Sequence, residues 1–226
     1  MSSLPMNIRP AFIAYLAVAA AAVLIGWWQL TPPATLPIYQ PSDLNPALVD
    51  PAVRSNEDHH ILDFSLQNQL GDTVQLSDVA GQILVVDFFF TRCATICPTL
   101  TKNMKRIQER YLNEDQVRLL SHSVTPQMDS VEVLYRYGEL HGVENRRWWL
   151  LTGAKEEVYK LARTSYFAAL DEGDGGLQDF VHTENVVLID HLGRLRGFYD
   201  GTDMGEMNAL ARDLDFLLAS QVSELE

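Results

Sequence analysis

Both cysteines of the 226-residue chain lie in one short stretch, Thr91-Arg92-Cys93-Ala94-Thr95-Ile96-Cys97-Pro98. An apolar run over residues 83–90 precedes this stretch, and helical spacing of apolar residues begins near Cys97. The run predicts a central strand buried on both faces, because only Asp87 interrupts it. Two cysteines at a strand-to-helix turn either bind a soft metal ion or alternate between dithiol and disulfide.

The remainder of the chain alternates strand and helix patterns. We predict an α/β fold with a mixed, largely parallel central sheet flanked by helices and ending in an antiparallel hairpin. Cysteines at the carboxyl end of a central strand match the thioredoxin-like arrangement. The predicted strands cover residues 61–66, 73–76, 83–90, 117–124, 148–151, 186–189 and 195–199, and the helices 97–112, 128–140, 154–167 and 205–218.

The first thirty residues differ in composition from the rest. Residues 11–28 carry no charge, which is about the minimum length for a membrane-spanning helix, and Trp27 and Trp28 close the run. Arg9 is the only charged side chain before it, so residues 1–10 are predicted to be cytoplasmic and residues 11–30 to form a transmembrane anchor. A cleaved signal peptide is the alternative, and both place the following domain outside the cytoplasm.

Three further segments follow from composition. Residues 31–60 begin Pro-rich and predict an extended tether, residues 61–220 predict the folded domain, and residues 221–226 a tail. The formal net charge of −13 disfavours nucleic acid and anionic lipid as partners and favours cationic partners or metal ions. In an exported domain two cysteines form a disulfide by default, but a loop this short constrains the unfolded chain little.

A third ligand is needed to distinguish a copper site from a simple dithiol. Two thiolates favour Cu(I) or Zn, and an added imidazole permits both copper oxidation states. Of the six histidines, His182 lies between an acidic, Gly-rich loop and the strand predicted over 186–189, which this topology places near the cysteines. From position alone it is either a ligand or an ordinary loop histidine. His59 and His60 are predicted to be solvated, and the remaining three are assigned structural or remote positions.

The cysteine stretch resembles the T-x-C-x-x-x-C-P signature of the Sco/SenC family, the membrane-anchored copper proteins of cytochrome c oxidase assembly. The resemblance continues through Phe180-Val181-His182-Thr183 and through residues 188–202. It implies a thioredoxin-like fold in which Cys93, Cys97 and His182 bind one copper ion, as Cu(I) or Cu(II). It also implies cytochrome c oxidase subunit II as partner, with other periplasmic copper chaperones or thiol reductants, and an anchor in a bacterial inner membrane with the domain in the periplasm.

Two positions qualify the resemblance. Thr125 stands where many family members have Asp, whereas Asp129 fits the pattern and is predicted to cap the following helix. Asp87 lies six residues before Cys93 in an apolar strand. A desolvated carboxylate there could exchange protons with a thiol, and the alternative is an edge or loop-facing Asp satisfied by hydrogen bonds.

Three functions share these residues. The leading hypothesis is a copper metallochaperone for the binuclear copper site of the oxidase, which is not a turnover enzyme. The second is a thiol–disulfide oxidoreductase in which Cys93 and Cys97 form the redox pair and keep client cysteines reduced. The third is a peroxidase of the same fold, which is disfavoured because neither cysteine is marked as peroxidatic.

Overall fold

We analysed a computed structural model of the chain. The structure describes residue 12, residues 15–22, 35–46, 49, 53–168 and 184–224, with side chains to residue 221. The chain divides into two compact units, Met1–Leu36 and Pro37–Glu226. Within the first unit, residues 15–22 are helical. No helix among the described residues is both long and apolar enough to cross a membrane, and much of the anchor predicted over 11–30 lies outside them.

The second unit contains seven strands and four α-helices in its described residues. Their order confirms the predicted alternation of a hairpin followed by strands and helices. The elements are β1 (Ser65–Asn68), β2 (Thr73–Gln75), β3 (Ile83–Phe89), α1 (Cys97–Arg110), β4 (Val117–Ser123), α2 (Val131–His141), β5 (Trp148–Thr152), α3 (Lys155–Lys160), β6 (Asn185–Ile189), β7 (Leu195–Asp200) and α4 (Met204–Glu224).

The strands form one mixed sheet in the order β2-β1-β5-β4-β3-β6-β7. The three central strands β3, β4 and β5 are parallel, whereas β6 and β7 form an antiparallel hairpin beside β3, and β1 and β2 another beside β5. All seven residues of β3 are buried, as expected of a strand covered on both faces. The predicted mixed α/β sheet is therefore confirmed, but the expectation that it is largely parallel was wrong, because four of the six pairings between the described strands are antiparallel.

Alternation along β3 separates two environments. Leu84, Val86 and Phe88 belong to a large apolar cluster that also contains Tyr166. Asp87 and Phe89, which stand two positions apart in the strand, point to the opposite face. There Phe89 contacts Tyr137 of α2, with ring centroids 5.3 Å apart. The face that carries Asp87 is therefore the face on which the helices beside the cysteines pack.

The start of α2 differs from the sequence prediction. The helix begins at Val131, and Ser130, not Asp129, is its N-cap, with the Ser130 side chain accepting from the Val133 amide. Asp129 is instead fully buried and turns toward the end of β3. The prediction of Asp129 as a cap was wrong because a carboxylate one residue earlier found several donors inside the protein.

Part of the predicted tether packs against the domain. The second unit begins at Pro37, not near residue 61. The Tyr39 amide donates to the Leu195 carbonyl over 2.9 Å, Arg196 Nε donates to the Pro37 carbonyl over 2.9 Å, and Val49 is buried. Because Leu195 begins β7, this contact lies at the end of the sheet opposite to the carboxyl end of β3. Residues 37–46 are therefore part of the folded unit.

Candidate metal and dithiol centre

The two cysteines flank the turn between β3 and α1. Cys97 is the first residue of α1 and is 3% exposed, whereas Cys93 is partly exposed, and both are free thiols. The Cys97 amide donates to the Cys93 Sγ over 3.4 Å, and Thr95 Oγ1 lies 3.6 Å from the same sulfur. The first amides of a helix have no partner within the helix, so the Cys93 sulfur occupies a ready site for a negative charge.

The surroundings separate the acidities of the two thiols. Partial burial opposes ionisation of Cys93, but hydrogen bonds from Cys97 and Thr95 outweigh it and lower the Cys93 pKa to about 7. Burial, together with the hydrogen bond and charge of Cys93, raises the pKa of Cys97 to about 12. An accessible sulfur that ionises near neutral pH beside a buried protonated one is the arrangement of an attacking and a resolving thiol.

A polar chain is buried on the same face of the sheet. Asp87 accepts a hydrogen bond from Ser121 Oγ, and Trp148 Nε1 donates to Ser121 Oγ over 2.7 Å. Burial raises the Asp87 pKa to about 7, although the bond from Ser121 opposes this. The charge of Asp87 also raises the pKa of Cys97, so the two groups are electrostatically coupled. The carboxylate is hydrogen-bonded, as one sequence hypothesis expected, but it lies in a buried central strand and not at an edge or loop. Proton exchange between Asp87 and a thiol stays a prediction.

Tyr137 is a partly buried group near the cysteines that the sequence did not predict. Its hydroxyl lies 2.7 Å from Thr101 Oγ1, one turn after Cys97 in α1. Burial raises the Tyr137 pKa to about 12, and the charges of Cys97, Asp87 and Cys93 add to the shift. The Tyr137 hydroxyl and the Asp87 carboxyl are therefore both electrostatically coupled to the Cys97 thiol. The spacing of apolar residues in α2 did not predict the part played by Tyr137.

His182 lies outside the described residues, so its predicted place beside the cysteines stays a prediction. Within the described ranges no group of three or more His, Cys, Asp or Glu side chains is placed to hold a metal ion. Two histidines, His60 and His191, line a cavity of about 180 Å³ near the β6–β7 turn, at the end of the sheet away from the cysteines.

The prediction that His59 is solvated was wrong. His59 is 3% exposed, its Nε2 lies 2.8 Å from the Ser165 carbonyl oxygen, and its ring contacts Phe167. Burial lowers the His59 pKa. The polar residues that surround His59 in sequence suggested exposure, but its partner lies more than a hundred residues away along the chain.

Comparison with known proteins places this geometry in a family. The family model described as SCO1/SenC matches residues 52–218, about three quarters of the chain. The chain belongs to the SCO1/SenC family. It is 31% identical to a SCO1 protein homolog of Bacillus subtilis over 142 residues, which cover 62% of this chain and 73% of that protein.

Solved structures agree with the family assignment. A SCO1/SenC family lipoprotein from Bacillus anthracis is 30% identical, with a TM-score of 0.63 over 73% of this chain and 98% of that one. BsSco, described as a member of the Sco family of cytochrome c oxidase assembly proteins and as having a disulfide switch, is 27% identical, with a TM-score of 0.60 over 71% of this chain and 94% of that one. Copper-bound ScoI of Bradyrhizobium japonicum shares the fold at 22% identity and a TM-score of 0.54, covering 70% of this chain and 99% of that one.

Proposed function

We propose that this chain binds one copper ion through Cys93, Cys97 and His182 and delivers it to the binuclear copper site in subunit II of cytochrome c oxidase. The single observation that carries the proposal is the pair of reduced sulfurs at the start of α1, one of them held by a helix amide. Thiolates are the ligands that Cu(I) prefers, and an imidazole extends the site to Cu(II). The relatives described as oxidase assembly proteins and as copper-bound support the same cargo.

Chain connectivity supports His182 as the third ligand. It stands two positions before Glu184 in the sequence, which limits the distance between their Cα atoms to about 7 Å. The Glu184 carbonyl accepts from the Gly201 amide over 2.7 Å, and Asn185 begins β6 at the end of the sheet where β3 delivers the cysteines. Asn185 Nδ2 also donates to the Ala168 carbonyl over 3.2 Å. The described residues on either side of His182, Ala168 and Glu184, therefore both lie toward the end of the sheet that carries the cysteines.

Copper titration of the reduced full-length chain in detergent tests the proposed ligation. We expect one equivalent of Cu(I) to bind, and one of Cu(II) to bind with a sulfur-to-copper charge-transfer band. Replacing both Cys93 and Cys97 by serine removes the soft ligands and is expected to abolish both. Tight binding of one equivalent by the doubly substituted chain contradicts the proposed site.

A thiol–disulfide oxidoreductase is the second candidate, and the separated pKa values of the cysteines favour it. In this reaction the Cys93 thiolate attacks a client disulfide, its S–S bond breaks, and one client thiolate leaves from the mixed disulfide. The Cys97 thiol then transfers its proton to Asp87 and attacks the Cys93 sulfur, releasing the second client thiolate. The client gains two electrons, and an external thiol reductant must restore the dithiol.

A reduction assay separates this candidate from copper delivery. The reduced chain is mixed with an oxidised soluble fragment of oxidase subunit II, and the appearance of client thiols is followed without copper. Stoichiometric reduction that is lost in the Cys93→Ser variant supports the oxidoreductase function. If the client stays oxidised while copper-loaded chain transfers its metal to reduced client, copper delivery alone is the function.

We also propose that residues 11–30 anchor the protein in a bacterial inner membrane, with the domain in the periplasm. The uncharged run ending in Trp27 and Trp28 supports this anchor, and the description of the related Bacillus anthracis protein as a lipoprotein supports membrane attachment of an exported domain in general. Alkaline carbonate extraction of cells that express the full chain tests this. Retention in the membrane pellet is expected, and release into the supernatant contradicts the anchor.

A further inference from the structure

Asp129 joins three segments around the cysteine turn and is 0% exposed. Its Oδ1 accepts from Thr91 Oγ1 over 2.5 Å, and its Oδ2 accepts from the Thr91 amide over 3.3 Å. The same Oδ2 accepts from Ser123 Oγ over 2.6 Å and from Thr125 Oγ1 over 2.9 Å. One buried carboxylate therefore ties the residue two positions before Cys93 to the end of β4.

We propose that Asp129 is a positioning residue that fixes the cysteine turn so that the two sulfurs lie ready to converge on a metal ion or on each other. Thr91 carries this restraint, because it contributes both an amide and a hydroxyl to the carboxylate. Asp129 touches neither sulfur in any of these hydrogen bonds. Asp129 acts on Cys93 indirectly, through the two hydrogen bonds from Thr91 that restrain the cysteine turn.

The residue at position 125 follows from the same geometry. Its hydroxyl donates to Asp129, and the Ser123 hydroxyl accepts from the Thr125 amide over 3.2 Å. A threonine therefore supplies a donor to a carboxylate that already lies in the core. A second carboxylate at this position would instead face Asp129 with an acceptor. Thr125, which departs from the family pattern, therefore supplies the hydrogen-bond donor that the buried Asp129 carboxylate can accept.

Three single substitutions distinguish a positioning role from a purely structural one. Thr91→Val removes the hydroxyl on the cysteine side of the carboxylate, and Asp129→Asn replaces one acceptor oxygen by a donor group. Ser123→Ala is the matched control, because it removes a buried bond to the same carboxylate without touching the cysteine turn. Thr91→Ser keeps the hydroxyl and serves as the conservative rescue.

The measurement is the equilibrium between dithiol and disulfide in glutathione buffers, with copper absent. Oxidised glutathione takes two electrons and two protons from Cys93 and Cys97 as their S–S bond forms, and two reduced glutathione molecules result. A loosened turn lowers the effective concentration of one thiol at the other, so Thr91→Val and Asp129→Asn are expected to reduce the equilibrium constant about three- to tenfold. Thr91→Ser is expected to keep the constant of the unsubstituted chain.

Ser123→Ala is expected to lower the melting temperature while leaving the equilibrium constant within about twofold. The proposal is overturned if Thr91→Val leaves the constant unchanged, whatever its effect on melting, or if Ser123→Ala changes it as much as Thr91→Val. The inference rests on the proposed function only in assuming that Cys93 and Cys97 form the functional site. Because the assay contains no copper, failure of the chain to bind copper leaves its result unaffected.

Discussion

The backbone amide of Cys97 donates a hydrogen bond to the Cys93 sulfur over 3.4 Å. The residue that supplies the buried thiol thereby stabilises the thiolate of the accessible one. The helix that begins at Cys97 orients this amide, and the hydrogen bond adds to the greater burial of Cys97 in separating the acidities of the two thiols.

Alkylation of Cys93 is expected to rise with pH around a midpoint near 7, because hydrogen bonds from Cys97 and Thr95 lower its pKa to about 7. Thr95→Val removes one donor and is expected to raise the midpoint by roughly 0.5 to 1 unit. Iodoacetamide labelling of the reduced chain across pH 5 to 10, read by mass spectrometry, measures both. Thr99→Val, an exposed change in α1, serves as control. A midpoint near 9 in the unsubstituted chain contradicts the assignment.

Asp87→Asn is expected to stabilise the fold at alkaline pH. Burial raises the Asp87 pKa to about 7 from 3.8, so the native state holds a proton that the unfolded state has lost between those values. Stability therefore falls as pH rises from about 4 to 7, by up to about 4 kcal/mol. The amide variant lacks this slope. Urea unfolding at pH 5 and pH 8 tests this, and an equal effect of the substitution at both values counts against the raised pKa.

The same variant is expected to slow disulfide exchange. Without the carboxylate, the Cys97 thiol loses a proton acceptor, although its own pKa falls because a neighbouring negative charge is gone. We expect formation of the mixed disulfide at Cys93 to keep its rate and resolution by Cys97 to slow about tenfold or more. Stopped-flow reaction with a chromogenic aromatic disulfide resolves the two steps. Unchanged resolution rules out Asp87 as the proton acceptor.

His122 makes the fold sensitive to acid. Its ring is fully buried among Phe64, Phe88 and Tyr166, and neither ring nitrogen has a hydrogen-bond partner among the described residues. Burial lowers the His122 pKa to about 3. Below pH 6.5 the unfolded chain therefore binds a proton at this side chain that the folded chain does not bind. The free energy of unfolding decreases by about 1.4 kcal/mol per unit as the pH falls from 6.5 to about 3.

Replacement of His122 by phenylalanine is expected to remove this contribution and to flatten the acid side of the stability profile. Thermal unfolding between pH 3.5 and 7 measures the change. His60→Phe, at a partly exposed site, is the control and is expected to leave the profile unaltered. A His122→Phe chain that loses stability with acid as steeply as the unsubstituted protein shows that other groups cause the sensitivity.

The sequence predicted the elements that local patterns specify. The apolar run before Cys93 forms β3, and the spacing of apolar residues after Cys97 forms α1, with ends close to those predicted. The mixed sheet and the place of the cysteines followed from the alternation of elements. Each of these features depends on residues that are neighbours along the chain, so their pattern is visible without knowledge of the fold.

The buried polar contacts were not predictable in the same way. Asp129 was assigned as a helix cap because its sequence neighbours suit one, but its donors come from the ends of β3 and β4. Asp87 pairs with Ser121 only because those two strands lie side by side in that register. His59 finds its partner in Ser165. Such pairings depend on register and packing between distant segments, which a single sequence does not encode locally.

The site itself was predicted as two cysteines and one histidine, of which the structure describes the cysteines. The most direct test of the account compares His182→Ala with His191→Ala, since His191 lies in the turn between β6 and β7 at the far end of the sheet. Each reduced chain is titrated with Cu(II) and, separately, with Cu(I). We expect His182→Ala to weaken Cu(II) binding by roughly a hundredfold or more, since loss of even an outer-shell partner of a ligand costs roughly ten- to a hundredfold. Cu(I) binding is expected to weaken much less, because two thiolates still suit the softer ion. His191→Ala is expected to bind both as the unsubstituted chain does, and unchanged Cu(II) affinity in His182→Ala contradicts the three-ligand copper site.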